Sequence, residues 1–198
     1  MTKVWDPFWI SALQTEFVPQ LNAIVQVLEK RLLPNLEKEK IGEESDRIAD
    51  EDWERFMSMP ATGNEDPADF ADRALNAGIA HYTLMYGIRQ GMLNLFAAAL
   101  YHTFEQQIML FHRKNVLDLD EENDSKKFKL KVFQRRLKEY GIDIKNFACW
   151  SKIDDELRLV ANTVKHAEGP ASDKLRKIRP DLFINPLFSQ DSFFLYQS

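Results

Sequence analysis

The sequence predicts an all-α protein, an antiparallel helical bundle. Apolar residues recur on the 3.6-residue period through most of the 198 residues, alternating strand-like runs are almost absent, and Asp-Pro, Ser and Gly stand where helices should start and stop. With 44% hydrophobic and 12% aromatic residues, a chain of this length buries a sizeable core, and one domain over 1–198 is expected.

Taken in order, Asp6 and Pro7 offer an N-cap and a first-turn proline, and Leu13, Phe17, Leu21, Ile24, Val25, Leu28 and Leu32 keep the helical period. A first helix is expected to about Leu33, bent at Pro19. Residues 37–67, "EKEKIGEESDRIADEDWERFMSMPATGNEDP", are acid-rich and hold two prolines and two glycines. They read as a long acidic excursion inserted in the bundle, with at most a short helix around Trp53 to Met57. Helix restarts at Asp66 and Pro67 and stays compatible to about Asn115. Such a span is long for one helix, so a break is expected near Gly78 or between Gly87 and Gly91.

The second part of that span carries one stripe of Leu93, Phe96, Leu100, Phe104, Ile108 and Phe111, with His102, Glu105 and Gln106 toward the other side. The turn "DLDEENDS" leads to "KKFKLKVFQRRLKEYG", a helix closed by Gly141. That turn lacks the spaced ligands, internal glycine and terminal glutamate of a calcium loop. Ser151 opens "SKID", a capping-box pattern, and the next helix should run from Lys152 to about His166, stopped by Gly169 and Pro170. Ser172 caps a short helix to Ile178, and 179–198 form an aromatic C-terminal tail without a clear period.

The net charge of −5 is unevenly spread. Residues 1–125 hold 11 Lys/Arg against 22 Asp/Glu, whereas residues 126–179 hold 15 against 7. A basic block of this kind suits a partner with a phosphate backbone. The single cysteine, Cys149, excludes an internal disulfide and a cysteine-rich zinc site. No signal peptide is apparent, and the longest apolar run, "MLNLFAAALY", is interrupted by Asn94 and falls short of the roughly 20 residues that span a bilayer. A soluble, cytoplasmic protein with no membrane partner is expected.

Chemistry concentrates in "LRLVANTVKHAEGP", residues 157–170. On the helical period Ile153, Leu157, Val160 and Val164 share the apolar side, while Asp154, Arg158, Asn162, Lys165 and His166 share the opposite one. An asparagine in mid-helix disfavours the helix locally, so Asn162 calls for a reason other than propensity. Arg158, Lys165 and His166 give one face three donors suited to phosphate, and His166 alone can exchange a proton near neutral pH. The four histidines form no metal-binding spacing, there is no Gly-rich phosphate loop and no nucleophile elbow, and neither metal nor cofactor is expected.

"VANTVKHAEG" on the last long helix of a small bundle resembles the signature helix of the HEPN superfamily, many of whose bacterial members are metal-independent ribonucleases of toxin–antitoxin, abortive-infection and other antiviral defence systems. The family motif is an arginine, usually followed by a polar residue, with four to six residues before a histidine. Asn162 and His166 match the polar residue and the histidine; the arginine position holds Ala161, and Arg158 stands on the same face eight residues before His166. The resemblance implies a homodimeric endoribonuclease that cleaves RNA by 2′-OH attack on the adjacent phosphate. His166 would act as general base or acid, Arg158 and Lys165 would bind and stabilise the phosphate, and Asn162 would orient the histidine or a phosphate oxygen. The displaced arginine and the acidic N-terminal half leave a second reading open, a catalytically inactive HEPN-like binding or regulatory module held with an antitoxin or another protein of a defence complex.

Overall fold

The computed structural model describes residues 11–60, 63 and 66–184, and these form helices and turns with no strand. The expected start at Asp6 and Pro7 and most of the aromatic tail lie outside the described residues. Among those described, no helix is long and apolar enough to cross a membrane.

Helix α1, Val18–Val27, is flanked by stretches bonded i→i+5 at Leu13–Phe17 and Leu28–Leu32. Pro19 has no N–H to give the preceding turn, and that turn is the widened one, closed by the Val18 N–H on the Leu13 carbonyl. Helix α2, Lys38–Met57, runs for 20 residues where a mostly non-helical excursion is expected. The excursion reading is therefore corrected for these residues. The apolar stripe of α2 is narrow and uses small residues, with Ile41 and Ser45 buried and Ile48, Ala49 and Phe56 half-buried, so its acid-rich composition hides a helical period. On its outer side Arg47 pairs with Glu44 and Glu51 at helical spacing.

Helix α3, Pro67–Phe111, is 45 residues long and unbroken. Asp66 caps its start by accepting the Ala68 N–H at 2.9 Å. The expected break at Gly78, Gly87 or Gly91 is absent, because a helical glycine lowers stability by only about 1 kcal/mol and does not by itself end a helix. Helices α4, Leu130–Glu139, and α5, Ala148–Ser151, follow; Gly141 takes φ +83° just past the end of α4, as a terminating glycine should. From α5 the chain continues through an i→i+5 stretch, Lys152–Leu157, into α6, Arg158–His166, and then α7, Pro170–Ile178. Ser151 thus lies inside this helical run and does not cap it; the run begins at Ala148, after the extended Phe147. Helix α7 begins at Pro170 with Gly169 as its N-cap, so Ser172 lies within the first turn and not before it; its hydroxyl still serves the helix start by accepting the Gly169 N–H at 2.9 Å.

Contacts gather the chain into two compact units, one of residues Gln26–Leu93 and one of the residues before and after it. In the first, α2 and the early part of α3 run antiparallel. Lys38 lies over the Tyr86 ring at 5.6 Å, Ser45 Oγ is 3.0 Å from His81 Nδ1, and Phe56 stacks on Phe70 at 5.4 Å, so positions rise along one helix as they fall along the other. In the second unit Phe111, Val116, Phe133, Leu137, Ile144 and Trp150 form the main core, joined at its edge by Leu13, Phe104 and Ile108. A smaller cluster of Leu159, Leu175 and Phe183 binds α7 to α6, and complete burial of Leu175 alone stabilises by about 2 kcal/mol. The "DEEND" turn is tied inward: Glu121 accepts from Arg136 at 2.6 Å and Lys127 at 3.0 Å, and Glu122 from Lys114 at 3.0 Å.

Candidate functional site

Helix α6 carries Arg158, Asn162 and His166 at steps of four, which sets the three on one face. Its packing is broader than the one-sided apolar stripe of the sequence reading. Leu159, Ala161 and Thr163 are the buried residues, while Leu157, Val160 and Val164 are half-buried, as are Leu93, Phe96 and Phe104 on α3. Ala161 lies beside the polar face and is fully enclosed, so α6 is covered on more than one side up to Val164, and only its end stands in water. The i→i+5 stretch before Arg158 also alters the angular step on which Ile153 and Leu157 were placed.

The polar residues divide along the helix. At the N-terminal end Arg158 Nε donates to Asp154 Oδ1 at 2.8 Å, with the two side chains 35% and 26% exposed. Side chains on a helix lean toward its N-terminus, and Arg158 reaches back one turn to its partner. Beside this pair stands Tyr101 of α3, 2% exposed, whose hydroxyl donates to Glu105 Oε1 at 3.2 Å. Burial pushes the Tyr101 phenol well above its usual range, the Glu105 carboxylate adds to that, and Arg158 opposes it. His102 Nδ1 is 3.7 Å from Glu105 Oε2 and completes the group.

At the C-terminal end Lys165 and His166 are exposed, and neither has an ion-pair partner among the described residues. Asn162 is half-buried between the two groups. Eight residues at about 1.5 Å each separate Arg158 from His166 by roughly 12 Å along the axis, with the guanidinium directed away from the imidazole. Within one chain the two therefore do not converge on a single atom. Just past His166, Ala167 takes φ 54° and ψ −111°, a backbone conformation that favours glycine.

Helical spacing in the sequence predicts Arg158, Asn162, Lys165 and His166 on one face and carries no signal for Tyr101 and Glu105, which come from a helix distant in sequence. The Asp154–Arg158 pairing was legible as an acid four residues before an arginine. Among the described residues no group of three or more His, Cys, Asp or Glu side chains is placed to hold a metal ion.

Compared with protein-family models, curated proteins and solved structures, the chain matches none.

Proposed function

We propose that the chain is a HEPN-like RNA-binding module of a bacterial defence or toxin–antitoxin complex, one that engages RNA through the end of α6 without cleaving it. One observation carries this reading: Arg158 is bound by Asp154 at 2.8 Å on the side away from His166, so the arginine and histidine expected to act on one phosphate are held apart. Lys165 and His166, exposed at the helix end, supply the phosphate contacts, and Asn162 offers an amide within the same face. A homodimer pairing two such faces forms the RNA cleft, with an antitoxin or other protein of the complex as the further partner.

The endoribonuclease reading keeps one support. His166 is open to solvent with Lys165 beside it, and in a dimer the arginine of one chain and the histidine of the other need not come from the same helix. The test is incubation of the purified protein with labelled single-stranded RNA in EDTA, alongside light scattering for the oligomeric state. Salt-dependent retention of intact RNA by a dimer is the expected result. Cleavage with a cyclic phosphate end that is lost in His166→Ala returns the enzyme reading, and no RNA retention at low salt ends both.

A further inference from the structure

We infer that Asp154 is a built-in competitor for the anion that Arg158 would otherwise hold, so that RNA phosphate gains the Nε edge of Arg158 only by displacing Asp154. The inference rests on the RNA-binding reading above and adds an autoinhibitory contact to it.

Four features of the site lead there. The acid precedes the arginine by four residues, the spacing that brings side chains together along a helix, and the Nε–Oδ1 distance of 2.8 Å is that of a made charge-assisted bond. Asp154 occupies Nε, one of the two donors of the guanidinium edge that grips a phosphate with parallel bonds, so a phosphate held on that edge must take the carboxylate's place. With side chains 35% and 26% exposed, the pair is shielded enough to persist and open enough for a ligand to reach. Finally, the buried Tyr101, whose hydroxyl donates to Glu105 at 3.2 Å, lies within electrostatic reach of both Arg158 and Asp154. An arginine whose charge is already offset by Asp154 attracts an incoming phosphate only weakly until that carboxylate turns away.

The chemistry is an exchange of one oxyanion for another on the same donor. Asp154→Asn keeps shape and a hydrogen-bonding oxygen but removes the competing charge. With a fluorescent single-stranded RNA read by anisotropy over a salt series, Asp154→Asn should bind roughly three- to five-fold more tightly than the wild type, the release of one ion pair of this exposure. Its plot of log K against log salt should steepen by about 0.7, the increment for one added phosphate contact on a single strand. The loss on Arg158→Ala should be larger in the Asp154→Asn background than in the wild type, and this double-mutant cycle is the sharper readout. Asp154→Ser, checked like the first variant by circular dichroism, guards against a local folding defect. Wild-type RNA binding left unchanged or weakened in both Asp154 variants, or equal losses from Arg158→Ala in the two backgrounds, overturns the competitor role and leaves the RNA-binding reading standing. No RNA binding by the wild type removes both.

Discussion

A Cβ atom on Gly78 would stand 2.8 Å from the Ser45 carbonyl oxygen and 3.1 Å from Ala49 Cβ, so this glycine lies directly against the backbone of the helix it packs on. The neighbouring atom is main chain and cannot swing aside. At Gly87 and Gly91, on the same helix, a Cβ would meet nothing within 4 Å.

Gly78→Ala and Gly87→Ala should therefore have opposite signs. Alanine gains up to about 1 kcal/mol of helix propensity at either site, but overpacking at position 78 costs about 1–3 kcal/mol. Urea unfolding should show Gly78→Ala destabilised by roughly 1 kcal/mol and Gly87→Ala stabilised by somewhat less than that. Stabilisation by both would mean that the α2–α3 crossing is looser than the structure places it.

Ala167→Gly should raise stability. The φ of 54° with ψ −111° after α6 strains an alanine by about 1–3 kcal/mol, and the entropy that glycine adds to the unfolded chain offsets about 0.5–1 of that. A rise of about 1 kcal/mol in denaturant unfolding is the expected outcome; a fall would show that the turn between α6 and α7 relaxes in solution.

His112 makes stability depend on pH in a window of its own. Its side chain is fully buried, and Nε2 donates to the Lys127 carbonyl at 3.1 Å, which assigns the neutral ring its proton. Burial lowers its pKa below the ordinary 6.5. The unfolded chain then binds a proton before the folded one does, so this stability is complete above pH 6.5 and declines as pH falls through that value toward the folded pKa. The carboxylates of Glu121, Glu156 and Glu168, lowered first by bonds to Lys127, Lys152 and Arg176 respectively, act only near and below pH 4.5. Unfolding midpoints measured from pH 7.5 to 5 should fall for the wild type and stay nearly level for His112→Phe. Equal slopes in the two proteins would place the titrating group elsewhere.

Glu121→Gln should lower the thermal midpoint, because it removes the charge that Arg136 at 2.6 Å and Lys127 at 3.0 Å share beneath the acidic turn. Arg136 Nε is already buried without a hydrogen bond among the described residues, and the longer ion pair from Nη1 to Glu139 Oε2 at 3.5 Å is what remains to the guanidinium. Circular dichroism melts check this, and an unchanged midpoint would show the turn to be held by its apolar neighbours alone.

On the proposed RNA-binding reading, Lys165→Ala should weaken RNA affinity about equally across sequences and lower the salt slope by about 0.7, as loss of one backbone contact requires. Strong sequence dependence of the loss would point instead to a base contact.

Helical character is legible in the residues alone, and so is much of the punctuation: Asp66 before α3, Gly141 after α4 and Ser172 in the first turn of α7 are local signals whose hydrogen bonds or dihedral angles close within a few residues. Helical spacing also places Arg158, Asn162 and His166 on one face, since a helix imposes that spacing whatever surrounds it. Tertiary structure decided the rest. Helix α2 was hidden because Ser45 and Ala49 read as polar or neutral until α3 brings Gly78 against them, and only then does a small residue become the one that fits. The same holds at the site. Nothing near Arg158 in sequence names Tyr101; packing between helices distant in the chain brings it, with Glu105 on its hydroxyl, to bear on the Asp154–Arg158 pair, and electrostatic coupling depends on distance in space rather than along the chain.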